Sequence, residues 1–108
     1  MQIQFNTDSS IQGRDSLFAS IRPDVEKVLA RYAEIITRVE IHVSDINGPK
    51  AGEDDIRAVV EIRREGKAPN AATNNGKNPR LAVLGAVEKL KRVLDSDLGK
   101  ERDLARRS

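Results

Sequence analysis

Every apolar stretch of this chain is one-sided. Val39, Ile41 and Val43 alternate with Arg38, Glu40, His42 and Ser44, and Ala58, Val60 and Ile62 alternate with Arg57, Glu61 and Arg63. Successive side chains of a strand point to opposite faces, so each stretch predicts a strand with one face for a core and one for water. The first covers about residues 36–45, and the two should pair as a hairpin. The opening residues 2–8 alternate in the same way, with Ile3, Phe5 and Thr7 opposed to Gln2, Gln4 and Asn6. Residues 69–75 make a weaker fourth strand, whose Pro69 and polar residues place it at a sheet edge.

Between the first two strands the spacing changes to that of a helix. Leu17, Phe18, Ile21, Val25, Val28, Leu29 and Tyr32 recur in steps of three and four along one stripe. Ser9 and Ser10 offer caps at its start, and Pro23 interrupts it by removing a donor. The stripe keeps register across Pro23, which predicts one kinked helix. A second helix begins at Asn78-Pro79, with Asn as N-cap and Pro at the first helical position. Val83, Leu84, Val87, Leu90 and Leu94 form its stripe. Gly85 on this helix costs about 1 kcal/mol relative to Ala and allows close packing against the sheet or the first helix. Gly99 is the expected C-cap, leaving 100–108 as a polar, basic, flexible tail.

Elements with one apolar face each have an economical solution, an α+β two-layer sandwich in the order β-α-β-β-β-α. One four-stranded mixed sheet carries both helices on one face, and the first crossover makes strands one and two parallel. A length of 108 residues suits one domain, set at 1–99.

Chemistry is hard to assemble from what remains. With no cysteine, disulfides, thiolate catalysis and cysteine-ligated zinc are excluded. His42 is the one histidine and lies on the polar face of a strand, with no second metal ligand or nucleophile at a telling spacing. Glu53-Asp54-Asp55 lacks the alternating ligands and central glycine of a calcium loop and reads as a solvated acidic turn. Asn74-Asn75-Gly76 reads as a strand end rather than a phosphate cradle. The expectation is a chain that is not an enzyme and takes no metal, cofactor or small-molecule substrate. No apolar run approaches the ~18 residues of a membrane span, and the start has neither the basic nor the apolar region of a signal peptide, which makes the cytoplasm the expected location.

Charge says more. Residues 1–55 hold 6 basic and 10 acidic side chains, and residues 56–108 hold 13 and 7. The basic residues form three groups: Lys89, Lys91 and Arg92, continued by Lys100, Arg102, Arg106 and Arg107; Arg63, Arg64 and Lys67; and, in the first half, Lys27 with Arg31 one helical turn on. Such groups can neutralise phosphates, although cations near a helix C-terminus also complement its dipole. Aromatic residues are 3% of the chain, too few for base stacking on a strand, so any RNA contact would be to backbone and shape. Charge alone leaves RNA binding and a solvated surface both open.

Three stretches resemble the family of hibernation promoting factor and the ribosome-associated inhibitor RaiA, also known as the sigma-54 modulation family. They are Met1-Gln2-Ile3-Gln4-Phe5, the segment from Ile36 to Asp45, and Glu88-Lys89-Leu90-Lys91-Arg92-Val93-Leu94-Asp95, in order and at the right distances over residues 1–99. The resemblance implies a fold similar to a double-stranded RNA-binding domain. It also implies a stress factor that binds the small ribosomal subunit near the decoding region and inhibits translation. Lys89, Lys91 and Arg92 match the family's basic final helix, which contacts ribosomal RNA, and the role extends to Lys100, Arg102, Lys27, Arg31, Arg63, Arg64 and Lys67. Ala72-Thr73-Asn74-Asn75 departs from relatives with histidines there, and the acidic loop looks expanded. The additional C-terminal domain with which long members pair ribosomes has no counterpart here, so a short form is expected. The alternative is a protein-interaction or regulatory module that keeps the fold without the ribosome, using the open sheet face of Arg38, Glu40, Arg57 and Glu61.

Overall fold

Three strands with an apolar face and two helices with an apolar stripe assemble around one core. A computed structural model describes residues 1–9, 11–46 and 55–107 of the chain. The elements are β1 (Gln2–Thr7), α1 (Arg14–Leu29), a 3-10 turn (Ala30–Tyr32), β2 (Ile36–Asp45), β3 (Ile56–Arg64), β4 (Asn70–Gly76) and α2 (Pro79–Arg107). The sheet runs β1-β2-β3-β4, with β1 parallel to β2 and the other neighbours antiparallel. This is the expected β-α-β-β-β-α sandwich, an open mixed sheet covered by two helices.

Register follows the hydrophobic alternation. Val39 faces Ile62, Ile41 faces Val60 and Val43 faces Ala58 across the β2–β3 ladder. All six are buried against Ile21, Val25 and Leu29 of α1 and Val83, Val87, Leu90 and Leu94 of α2. A one-residue slip would turn this apolar face to water, which fixes the pairing. Ile46 N–H donates to the Asp55 carbonyl at 2.9 Å, extending the hairpin. The loop expected at Asn47-Gly48-Pro49 and Gly52, and Glu53 and Asp54 of the acidic turn, lie outside the described residues.

Three helix ends differ from expectation. Ser9 does not cap α1, and Ser10 lies outside the described residues. Gly13 holds the N-cap position at φ +67, with no side-chain cap, and its carbonyl receives Leu17 N–H at 2.9 Å. Ile11 is drawn back toward the core before the helix begins, and only a residue at ease with positive φ makes that corner cheaply. At the other end α1 stops at Leu29 and tightens into the 3-10 turn, which still buries Tyr32. Pro23 is accommodated inside α1.

α2 begins as the sequence predicts, with Asn78 Oδ1 accepting from Leu81 N–H at 2.9 Å. Gly99 does not end it. The helix continues to Arg107, and its added turns are tied to the end of β3 and the turn after it by Glu101 on Arg64 and Lys67, while just before Gly99 Asp97 accepts from the Asn70 amide of β4 at 3.3 Å. These contacts offset the modest cost of glycine inside a helix. At about 1.5 Å per residue α2 is roughly 43 Å long, yet its fully buried side chains end at Leu94. Its C-terminal third projects beyond the core, consistent with a longest dimension of 56 Å.

The close approach expected at Gly85 is to the sheet. A Cβ there would collide with the Asn74 side chain of β4, whose amide donates to the Ala82 carbonyl at 3.2 Å. Both sheet edges carry a bonded cation. Arg14 donates to the Phe5 carbonyl of β1 through Nη2 at 2.8 Å, and Lys89 donates to the Thr73 carbonyl of β4 at 2.8 Å.

Candidate nucleic-acid interface

The basic residues singled out by sequence fall on three different surfaces. Strand parity decides the first division: Ala58, Val60 and Ile62 face the helices, so Arg64 shares their side and Arg63 points to the open face. There Arg63 Nε lies 2.7 Å from Glu61, and Arg38 lies 3.0 Å from Glu40. Hydrogen bonding to Glu61, with the charges of Glu61 and Glu40, raises the Arg63 pKa further. Each of these two arginines is paired along its own strand with a carboxylate, so this face offers little net positive charge.

The second surface is the side where α2 meets α1 and the 3-10 turn. Asp95 of α2 receives a hydrogen bond from the Tyr32 hydroxyl, and Arg31 lies 3.6 Å from the same carboxylate with its guanidinium 5.4 Å from the Tyr32 ring centre. This contact identifies the flank of α2 that faces the 3-10 turn after α1. Lys91 lies one turn before Asp95 on that flank, Lys27 lies one turn before Arg31, and Arg102 follows seven residues after Asp95. Arg92 stands on the outer crest beside them. Lys27, Lys91, Arg92 and Arg102 make no side-chain ion pair or hydrogen bond among the described residues, and all but half-buried Lys91 are exposed. Four unneutralised cations on rigid helices form the strongest candidate for a phosphate-tracking surface.

The third surface runs along the β4 flank of α2 and around its overhang. Lys89 is fixed there by the Thr73 carbonyl, and Lys100 is exposed three turns on. At the base of the overhang, Arg64 and Lys67 are already occupied by Glu101. Sequence reasoning missed the two acids, Asp95 and Glu101, that hold three of the predicted basic residues. Their signal was present as acids interrupting a basic run, but partners separated by more than thirty residues are not legible from spacing.

Tyr32 is 2% exposed, and burial first, then the hydrogen bond to Asp95 and its charge, push its phenol above the ordinary 10.0. The folded state therefore holds this proton more tightly, and the associated stability is complete below 10.0 and lost as pH rises toward the folded value. The chain has one tyrosine and no tryptophan, so phenolate absorbance reports this group alone. A titration midpoint above 10.0 in the folded protein is expected; a midpoint at or below it would mean the Tyr32–Asp95 clasp does not form.

Among the described residues no group of three His, Asp or Glu side chains is placed to hold a metal ion, and no helix is long and apolar enough to cross a membrane.

An open four-stranded mixed sheet with both helices on one face places the chain in one α+β fold class. Two solved structures share that fold. A ribosomal subunit interface protein from Coxiella burnetii is 16% identical with a TM-score of 0.66, covering 92% of this chain and 99% of its own. The N-terminal domain of Thermus thermophilus Protein Y is 23% identical with a TM-score of 0.58, covering 85% and 93%. No family model and no curated protein sequence matches the chain.

Proposed function

We propose that this chain is a non-enzymatic, cytoplasmic ribosome-associated factor of the hibernation promoting factor and RaiA family, and that it contacts the small subunit near the decoding region and inhibits translation under stress. The observation that carries the reading is the row of unpaired cations, Lys27, Lys91, Arg92 and Arg102, along the helical side of a fold shared with a ribosomal subunit interface protein. Phosphates are the natural partners of such a row, because each one neutralised releases condensed counterions. Lys89 and Lys100 extend the contact along the other flank of α2. Arg31 contributes once Asp95 yields it, whereas Arg63, on the open face, lies apart from this surface.

The scarcity of aromatic residues favours contact with the backbone of folded RNA over reading of unstacked bases. The charge-paired open face gives the alternative of a protein-interaction module weaker support.

Sedimentation of the purified chain with ribosomal subunits at low and at high salt tests the proposal. Co-migration with the small subunit at low salt, lost as salt rises, is expected. Failure to co-migrate at low salt would overturn it.

A further inference from the structure

At the base of the α2 overhang lies a groove lined by Arg64, Lys67, Asn70, Asp97, Lys100 and Glu101, with Ala68, Pro69 and Leu104 as its apolar walls. Arg64 leaves the end of β3 on the helix side, and its side chain is only 9% exposed. The turn that follows, with Gly66 at φ +73 and Lys67 N–H bonded to the Arg64 carbonyl at 3.2 Å, folds Lys67 back over it. One arginine and one lysine are thereby held on the same anion by backbone geometry.

That anion is Glu101, and it satisfies Arg64 poorly. Both carboxylate oxygens lie 3.3 Å from a single nitrogen, Nη1, rather than spanning the guanidinium fork. Nε is sealed from solvent and has no partner. A buried guanidinium normally has its donors satisfied, and the parallel two-bond fork is its strong mode. Lys67 contributes a closer contact, Nζ to Oε1 at 3.0 Å. Hydrogen bonds from Lys67 and then Arg64 hold the Glu101 carboxyl below the usual carboxylate range, so near neutral pH it is a resident negative charge.

We infer that Arg64 and Lys67, with Lys100 alongside, form a phosphate-binding site that Glu101 fills in the free chain. A tetrahedral phosphate brings more oxygens than a carboxylate. It can bridge Arg64 Nη1 and Lys67 Nζ through separate oxygens and offer a third to Lys100, contacts that Glu101 divides unevenly. Glu101 acts as an internal surrogate that is displaced when a phosphate arrives, which keeps these cations from binding stray anions weakly. The site deepens the proposed RNA contact and rests on that reading only for the source of the phosphate.

Inorganic pyrophosphate is the probe, and the Arg64 Nε–H resonance reports this site apart from the free cations of the helices. Glu101→Gln preserves side-chain shape and helix propensity while removing the resident charge. Pyrophosphate is expected to bind this variant roughly tenfold more tightly than the parent chain, with the Arg64 Nε signal moving. Adding Lys67→Met should return the affinity to the parent level. Glu88→Gln, which removes an exposed acid elsewhere on α2, is expected to leave affinity unchanged. An immobile Arg64 signal in folded Glu101→Gln, or an equal gain from Glu88→Gln, would overturn the site. In a second arm with small ribosomal subunits, Glu101→Gln should steepen the salt dependence of binding by about one phosphate, a slope change of ~0.9. Pyrophosphate binding without subunit binding by any variant would uphold the site and reject the ribosome as its source of phosphate. Subunit binding by a chain whose Arg64 ignores pyrophosphate would do the reverse.

Discussion

A chain with alanine at Lys89, Lys91 and Arg92 is expected to bind small ribosomal subunits about a hundredfold more weakly at low salt, with the salt slope reduced by up to ~2.7 for three phosphates. Lys91 and Arg92 have no partner among the described residues, so an incoming phosphate displaces nothing of the protein. Lys89 exchanges a neutral carbonyl for a charge, a gain in bond strength. None of the three side chains belongs to the core, so far-ultraviolet circular dichroism should be unchanged. Equilibrium binding across a salt series separates this result from a folding defect. Affinity equal to the parent chain would reject α2 as the RNA-facing element.

Gly76→Ala is expected to destabilise the fold by about 3 kcal/mol, near the upper end for overpacking a buried position. β4 and α2 are joined by Lys77 and Asn78 alone, which sets the first turn of the helix directly against the end of the strand. A Cβ on Gly76 would lie 2.7 Å from Ala82 N and 3.1 Å from Ala82 Cα. Those are backbone atoms inside a turn whose Ala82 N–H bonds to the Asn78 carbonyl at 3.1 Å, so nothing can rotate aside. Gly85 differs, because there the obstacle is the Asn74 side chain, which can swing away at the loss of its bonds to α2. A stability loss for Gly76→Ala of less than ~0.5 kcal/mol, taken from the urea midpoint at constant m, would show that strand and helix separate more easily than these distances imply.

The alternating stretches of β2 and β3 were legible because period-two alternation has one low-energy outcome when a sheet is covered on one side. β4 was placed at an edge by Pro69 and its polar character, and the Asn78-Pro79 start of α2 was read from local chemistry alone. The helix ends were less accessible. Whether α2 stops at Gly99 depends on Arg64 and Lys67, which lie far earlier in the chain and meet Glu101 only in the folded state. The same limit governed the site. Residue type and helical spacing predicted the cations, but whether each is free, as Lys91 is, or neutralised, as Arg64 is, depends on partners brought close by tertiary structure.

The hydrogen bonds that Arg14 and Lys89 make to strand carbonyls have a consequence for how molecules of this protein meet. An open sheet invites a neighbour to add a strand, and any chain docking on either border must first dislodge a charged group from the carbonyl it holds. Two side chains, one on each border, thus stand in the way of edge-to-edge strand addition. On the β4 border the sentry is Lys89, itself one of the proposed RNA ligands. A phosphate that drew this lysine away would bare that border, which Lys89 covers while it stays on the Thr73 carbonyl.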